Sequence, residues 1–340
     1  MKKRVLISDI AKALGVSVTT VSFILNDKAK EKRISDALTK RVLDYVKKVG
    51  YKPNQLAKSL RTGQTKILGL LVEDIANPFF SNVAKHIERR AYEAGYHIIY
   101  CSMDNDEHKA KELIQLFMDR QVDGFIITPS EGLEDTISNI KQNNIPLVLF
   151  DRFIPAVQTN YVVSDNRRGA YEATKHLLEG NNKRVGLISL YSNQTQMRDR
   201  LDGYMEAMDE FRMQSFIKKL HLDNPEDEAK EQIFEFVVDN KLDAVLFATN
   251  YLAVSGLKAL KERKEKLPRM VAFDEHTLFK LHDPSISVVS QDIERLTGEL
   301  IQTLIADIDG KLKESRQLSI PCHLIVRESS TSLQEQISLK

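Results

Sequence analysis

Residues 9–26 run DIAKALGVSVTTVSFILN, and their spacing decides how the head of this chain folds. Ile10, Ala11, Leu14 and Val16, then Val21, Ile24 and Leu25, mark two short amphipathic helices. Leu14-Gly15-Val16-Ser17 leaves room for only a tight turn between them. Ala11 is small where the helices must cross, Gly15 can take a positive φ in the turn, and Ser17 can cap the second helix. Together these features outline a helix-turn-helix.

The exposed face of the second helix carries Val18, Thr19, Ser22, Phe23 and Asn26, with Ser17 and Thr20 at its start. These are the candidates to meet DNA in a major groove. Thr19 offers a hydroxyl or a methyl, Val18 and Phe23 only apolar contact, and no Arg or Gln is available there for bidentate base readout. A third helix is expected from Ser35, with Leu38, Val42, Tyr45, Val46 and Val49 on one side, stopping at Gly50. Tyr51-Lys52-Pro53-Asn54 then resets the chain, and Asn54 can cap a short helix from Gln55 to Leu60. From composition alone, that stretch reads equally as a hinge or as a polar linker.

Charge separates the head from the rest. Residues 1–66 hold 16 Lys/Arg against 5 Asp/Glu, a net +11, while residues 67–340 hold 33 against 43, a net −10. Clustered cations release condensed counterions from a polyanion, so the head is expected to bind nucleic acid and the acidic body to bind something else.

DIAKALGVSVTTVSFILN followed by GYKPNQLAKSLRTGQT at residues 50–65 closely resembles the lactose/galactose repressor family of bacterial regulators. The resemblance implies that hinge helices of two subunits pair in the minor groove of a palindromic operator. Leu60 would act there as a wedge, with Asn54, Ala57 and Lys58 also at the DNA. Three departures stand out. Leu6 replaces a capping Thr, so Ser8 is expected to cap the first helix; Phe23 stands where a polar or basic residue is usual; and the loop Asp27 to Arg33 is longer and more basic.

From Ile67 short apolar runs alternate with amphipathic helices. Ile67–Val72, Tyr96–Tyr100, Gly124–Ile127 and Leu147–Phe150 read as parallel strands, with helices near 80–94 and 107–120 between them. The same grammar returns at Val185–Leu190, Ile217–His221, Ala244–Ala248 and Met270–Phe273. The expected fold is an all-α helix-turn-helix head on an α/β body of two doubly wound parallel-sheet lobes, of the periplasmic-binding-protein type. The expected divisions are 1–53 for the head, 54–66 for the hinge and 67–340 for the body. Within the body the first lobe spans about 67–163 and 291–325, and the second 164–290. Ser287 to Gln291 reads as a strand returning to the first lobe, so the chain crosses between lobes three times.

Ligands of open parallel sheets bind beyond the carboxyl ends of the strands. Past those ends come Glu73 to Phe80, Asp151-Arg152, the group Gln194, Gln196, Arg198 and Arg200, then Asn250 and Asp274. Carboxylates and an arginine converging with aromatics suit a polyhydroxylated ligand, a sugar or sugar derivative. The family's contacts map onto Phe79 or Phe80, Asp151, Gln196, Arg200, Thr249 or Asn250, and Asp274. Taken singly, Asp151, Asn250 and Asp274 read as helix caps, Arg200 as a partner of Asp199 or Glu206, and the two phenylalanines as core.

There is no GxGxxG, phosphate loop, GxSxG or metal-ligand spacing among the eight His, so an enzyme is not expected. No cofactor is expected beyond the small-molecule effector. Cys101 and Cys322 each adjoin an apolar run, as buried reduced thiols do. Ser8 and Asp9 break the first apolar run, and no stretch reaches the roughly 18 apolar residues of a membrane span. A cytoplasmic homodimer is expected, without membrane contact, because the tail from Ser329 shows no leucine heptads. A transport binding protein would not need the basic head, and a nonspecific nucleoid protein would not need the long body.

Overall fold

The computed structural model describes residues 5–51 and 63–331, and its contacts divide the chain after Thr65 into a head and a body. Three helices build the head: α1 (Ile7–Leu14), α2 (Val18–Leu25) and α3 (Asp36–Val49). The axes of α1 and α2 turn through 111°. Gly15 (φ 67°) and Gly50 (φ 63°) end α1 and α3 in the left-handed conformation that glycine adopts without a steric penalty. Ser17 Oγ accepts from the Thr20 N–H at 3.0 Å, and Ser35 Oγ from the Leu38 N–H at 3.4 Å, so hydroxyl caps start α2 and α3. The start of α1 differs from the expectation. Ser8 lies inside the helix and caps nothing; instead the Asp9 carboxylate reaches back to the Leu6 N–H at 2.9 Å. Asp9 sits three residues after the N-cap, where a side chain can reach that amide, and Ser8 does not.

In the body's first lobe, β1 (Ile67–Val72), β2 (His97–Ser102), β3 (Gly124–Ile127), β4 (Leu147–Phe150) and β5 (Asn160–Ser164) alternate with α4 (Pro78–Glu93), α5 (Glu107–Asp119) and α6 (Glu134–Gln142). The second lobe runs α7 (Asn166–Glu179), β6 (Val185–Leu190), α8 (Thr195–Glu210), β7 (Phe216–Leu220), α9 (Glu226–Asp239), β8 (Ala244–Phe247), α10 (Asn250–Glu262), β9 (Arg269–Phe273), α11 (Thr277–Leu281) and β10 (Ser287–Gln291). Then follow α12 (Ile293–Ile308), β11 (Gln317–Ile320) and β12 (Cys322–Ile325). The sheet orders are β11-β5-β4-β3-β1-β2 and β12-β10-β9-β8-β6-β7, the same order in both lobes. Every pairing is parallel except β10 with β12. Helices bury both faces of each sheet, which is why β3, β4 and β8 read as unbroken apolar runs and β6, broken only by Ser189, is buried throughout.

Two boundaries differ from the sequence reading. β10 does not return to the first lobe; it pairs with β9, and Val288 and Val289 pack into the second lobe's core. The return begins at Asp292, and Leu296, Leu300 and Leu304 of α12 then pack on the first sheet beside α4. The expected first-lobe segment 291–325 is therefore too long, because β12 belongs to the second sheet. The three crossings fall near Ser164, Gln291 and Pro321.

The RLDGY stretch owes its glycine to packing. A Cβ on Gly203 of α8 would lie 2.0 Å from Arg167 O and 2.9 Å from Tyr171 N, both backbone atoms of α7. Gly203→Ala must push two core helices apart, so a stability loss of at least about 1–3 kcal/mol is expected in urea unfolding. An unchanged midpoint would show that the helices separate without cost.

Candidate effector site and DNA-reading surface

Asp151 and Asp274 occupy equivalent places, each directly after the third strand of its sheet, β4 and β9. Both hold left-handed backbone, with φ 67° and 69°, and both are buried. Neither caps a helix: α11 begins after His276, and no helix follows Asp151 until Asn166. Burial pushes the Asp151 carboxyl up to about 6 against the opposing pull of Arg152 and Arg200. Burial likewise raises Asp274, opposed by Arg200 and by Gln291, whose Nε2 donates to Asp274 Oδ1 at 2.6 Å.

Arg200, only 2% exposed, is a cation whose charge acts on both carboxylates, while Arg152 Nε lies 3.9 Å from Asp151 Oδ2. The Arg200 guanidinium stacks 4.1 Å from the Phe273 ring centre, Nε donates to Asn166 Oδ1 at 2.8 Å, and Nη1 donates to the Ala248 carbonyl. It pairs with neither Asp199 nor Glu206; Glu206 instead meets Arg167. A buried arginine fixed on three sides presents its charge at a defined place, which side-chain entropy would otherwise oppose.

Arg152 also ties the lobes together. It is 1% exposed and donates to Glu73 Oε2 at 2.8 Å, to Asn105 Oδ1 at 2.9 Å, and across the cleft to Gln194 Oε1. Further bonds join the lobes, among them the Asn193 N–H to Glu131 Oε1 at 2.9 Å, the Phe153 N–H to Thr195 Oγ1 at 3.2 Å, Asn250 Nδ2 to Asn77 Oδ1 at 3.3 Å, Gln194 Nε2 to Asn105 Oδ1 at 3.4 Å, and Ser164 Oγ to Gln291 Oε1.

The expected residues do not all share the site. Phe79 lines a hollow of about 310 Å³ together with Asp274 and Gln291. Phe80 is core, edge-on to Phe150 with ring centres 6.1 Å apart. Thr249 caps α10 by accepting from the Leu252 N–H, and Arg198 is exposed. Gln196 donates to Gln194 Oε1 at 3.1 Å, while its own Oε1 is buried without a hydrogen-bond partner. Thr128 and Ser130, just past β3, also bury unpartnered hydroxyls. Such atoms are rare in folded interiors and mark polar surface that a ligand can use. Sequence reasoning missed Asn105, Thr128, Ser130, Asn166 and Gln291, although four of the five follow strand ends, the signal that found Asp151. A larger hollow of about 990 Å³, beside Gly180, Asp243 and Arg269, lies at the opposite, N-terminal ends of β6, β8 and β9, away from where such sheets bind ligands.

In the head, Val18 and Thr19 are exposed, and Thr20, Ser22, Phe23 and Asn26 are half-buried along α2. Asn54, Ala57, Lys58 and Leu60 lie outside the described residues.

A helix-turn-helix head on a two-lobed body with a charged interlobe cleft defines a ligand-responsive DNA-binding regulator. The comparisons with known proteins agree. The family of periplasmic binding protein domains matches residues 68–311, and that of bacterial regulatory proteins, lacI family, matches residues 6–54. The HTH-type transcriptional regulator DegA of Bacillus subtilis is 31% identical, over 96% of this chain and 98% of that protein. The HTH-type transcriptional repressor PurR of Haemophilus influenzae is 28% identical, over 96% and 99%. A solved periplasmic binding protein/LacI transcriptional regulator from Alkaliphilus metalliredigens, complexed with D-xylulofuranose, is 26% identical with TM-score 0.71, over 78% of this chain and all of that one. The lac repressor dimer bound to operator, at 20% identity, shares the fold with TM-score 0.85 over 97% and 100% of the chains. The chain belongs to the lacI family of bacterial regulatory proteins; it is a DNA-binding transcription regulator and not an enzyme.

Proposed function

We propose that the cleft binds a sugar or sugar derivative, and that this ligand sets the affinity of a homodimer for a palindromic operator. The observation that carries the reading is the buried set Asp151, Arg200 and Asp274, facing each other from two lobes. Carboxylates and a guanidinium make strong directional bonds to paired hydroxyls, and Phe79 supplies an apolar surface for a sugar ring. The sugar-bound relative from Alkaliphilus supports the same ligand class.

Dimerisation has its own support. The edge strands β2 and β7 lie at the same end of the two sheet orders, and exposed Tyr92, Ile99 and Tyr100 accompany one while Tyr191, Ile217 and Leu222 accompany the other. Open edges with exposed apolar side chains call for a cover, and a second copy supplies it across both lobes. In the dimer two α2 helices enter successive major grooves, and the expected hinge helix from Gln55 to Leu60, which lies outside the described residues, would pair with its partner and bring Leu60 to the minor groove as a wedge. The DNA partner places the protein in the cytoplasm; among the described residues no single helix is long and apolar enough to cross a membrane.

Three crossings allow the lobes to change their angle, and the ligand shifts operator affinity by as much as it prefers one lobe arrangement. Calorimetric titration of the full chain with sugars, sugar phosphates and purines, then operator binding with each hit, tests the reading. A sugar hit that changes operator affinity is expected. A panel in which only purines bind would overturn the sugar assignment, and a sugar hit without effect on DNA would overturn the regulatory one.

A further inference from the structure

The reading face of α2 poses a chemical puzzle. Its side chains are Val18, Thr19, Ser22, Phe23 and Asn26, and of these only Asn26 has an amide; Asn26 Nδ2 is spent on the Ser22 carbonyl at 2.7 Å. Guanine is most often recognised through O6 and N7 by an Arg or Lys, and α2 carries neither. The loop after α2 carries four: Lys28, Lys30, Lys32 and Arg33.

That loop is built rather than slack. The Lys28 N–H donates to Phe23 O at 2.9 Å, the Lys32 N–H to Lys28 O at 2.9 Å, and the Ile34 N–H to Ala29 O at 2.8 Å. Ala29 and Ile34 pack against the head's core, and Asp27 and Arg33 turn the chain with φ 57° and 53°. The fold brings the Lys32 ammonium to 5.5 Å from the centre of the Phe23 ring. A cation over an aromatic face is attracted by the ring quadrupole, and here the ring lies on the reading face itself. The only ion pair Lys32 makes among the described residues is with its exposed neighbour Glu31, at 3.0 Å. Exposed pairs of this kind contribute little, so DNA can displace Glu31 at small cost.

We propose that Lys32, carried on the Phe23 ring, is a base-reading residue that donates to guanine O6/N7 in the major groove and supplies from the loop the basic contact α2 lacks. Lys28, Lys30 and Arg33 contribute sequence-independent phosphate affinity beside it. The proposal rests on the operator-binding reading of the head and narrows it to one base pair in each half-site.

The test is selection of the full-length protein and its Lys32→Ala and Lys32→Arg variants on duplexes with randomised palindromic half-sites, with melting curves to confirm that each variant is folded. Lys32→Ala should lose a guanine preference at one symmetric position, by on the order of 10-fold, with the rest of the motif intact. Lys32→Arg should retain it, because a guanidinium reads the same two acceptors. Equal weakening on every sequence, with a shallower salt dependence, would make Lys32 a phosphate contact and overturn the proposal; an unchanged motif would overturn it too. A wild type that selects no sequence would sink the operator reading itself, which is a different outcome from a wild-type motif insensitive to Lys32.

Discussion

Arg200→Ala is expected to abolish the effector response, lowering effector affinity by roughly 100-fold or more, and to cost roughly 3–5 kcal/mol of stability. Both effects share one cause. Arg200 is the cation that opposes the effect of burial at Asp274 and, after Arg152, at Asp151, so its removal leaves two buried acids less compensated. It also leaves the Asn166 side chain and the Ala248 carbonyl without their donor, and strips one face of the Phe273 ring. Arg200→Lys separates the two consequences: the charge stays and part of the stability with it, but the planar fork that positions a hydroxylated ligand is lost. Urea unfolding and calorimetry on both variants check this. A folded Arg200→Ala protein that binds effector as tightly as wild type would remove Arg200 from the site.

Asp151→Asn carries the second large effect, and its sign on stability is opposite. The folded carboxyl titrates at about 6, above its ordinary value of 3.8. An acid raised by folding contributes stability that is fully present below its unfolded value and is lost as pH rises through the folded one. The wild type should therefore lose stability between about pH 4 and pH 6, by roughly 3 kcal/mol from this group. Asparagine cannot ionise, and it tolerates the left-handed backbone at φ 67° that most residues would resist. Asp151→Asn should therefore unfold at higher urea than wild type at pH 7.5, by about 1–3 kcal/mol, and match it below about pH 3.8. Effector affinity should fall, because a neutral amide is a weaker acceptor for ligand hydroxyls than a carboxylate. A variant less stable than wild type at pH 7.5 would mean that Arg152 and Arg200 hold the charge more strongly than burial opposes it. The expected gain means that wild-type stability is given up for function at Asp151, since a site that accepts hydrogen bonds from ligand hydroxyls keeps a desolvated acid in place.

The sequence by itself determined whatever depends on neighbours a few residues apart. Gly15 and Gly50 had to end helices, Ser17 and Ser35 had to cap them, and the buried runs of β1, β4, β6 and β8 could be nothing but interior strands, because backbone sterics and burial periodicity act locally. Asp151, Arg200 and Asp274 were legible for a related reason: the two acids directly follow strand ends, and Arg200 lies in the second turn of the helix after β6, where this fold class presents ligand-facing groups. Tertiary structure decided the rest. β5, β11 and β12 are short, and the last two are partly polar, so pairing with distant strands makes them strands; only that pairing shows β12 joining the second sheet. Asp9 rather than Ser8 satisfied the start of α1 because reach, not residue type, selects the cap. Phe79 and Phe80 are adjacent and alike and both pack into the first-lobe core, yet only Phe79 also borders the hollow beside Asp274. Arg152 met Glu73, Asn105 and Gln194, and Lys32 met the Phe23 ring, through contacts that have no periodicity in the chain to announce them, since they are fixed by packing that brings remote segments together.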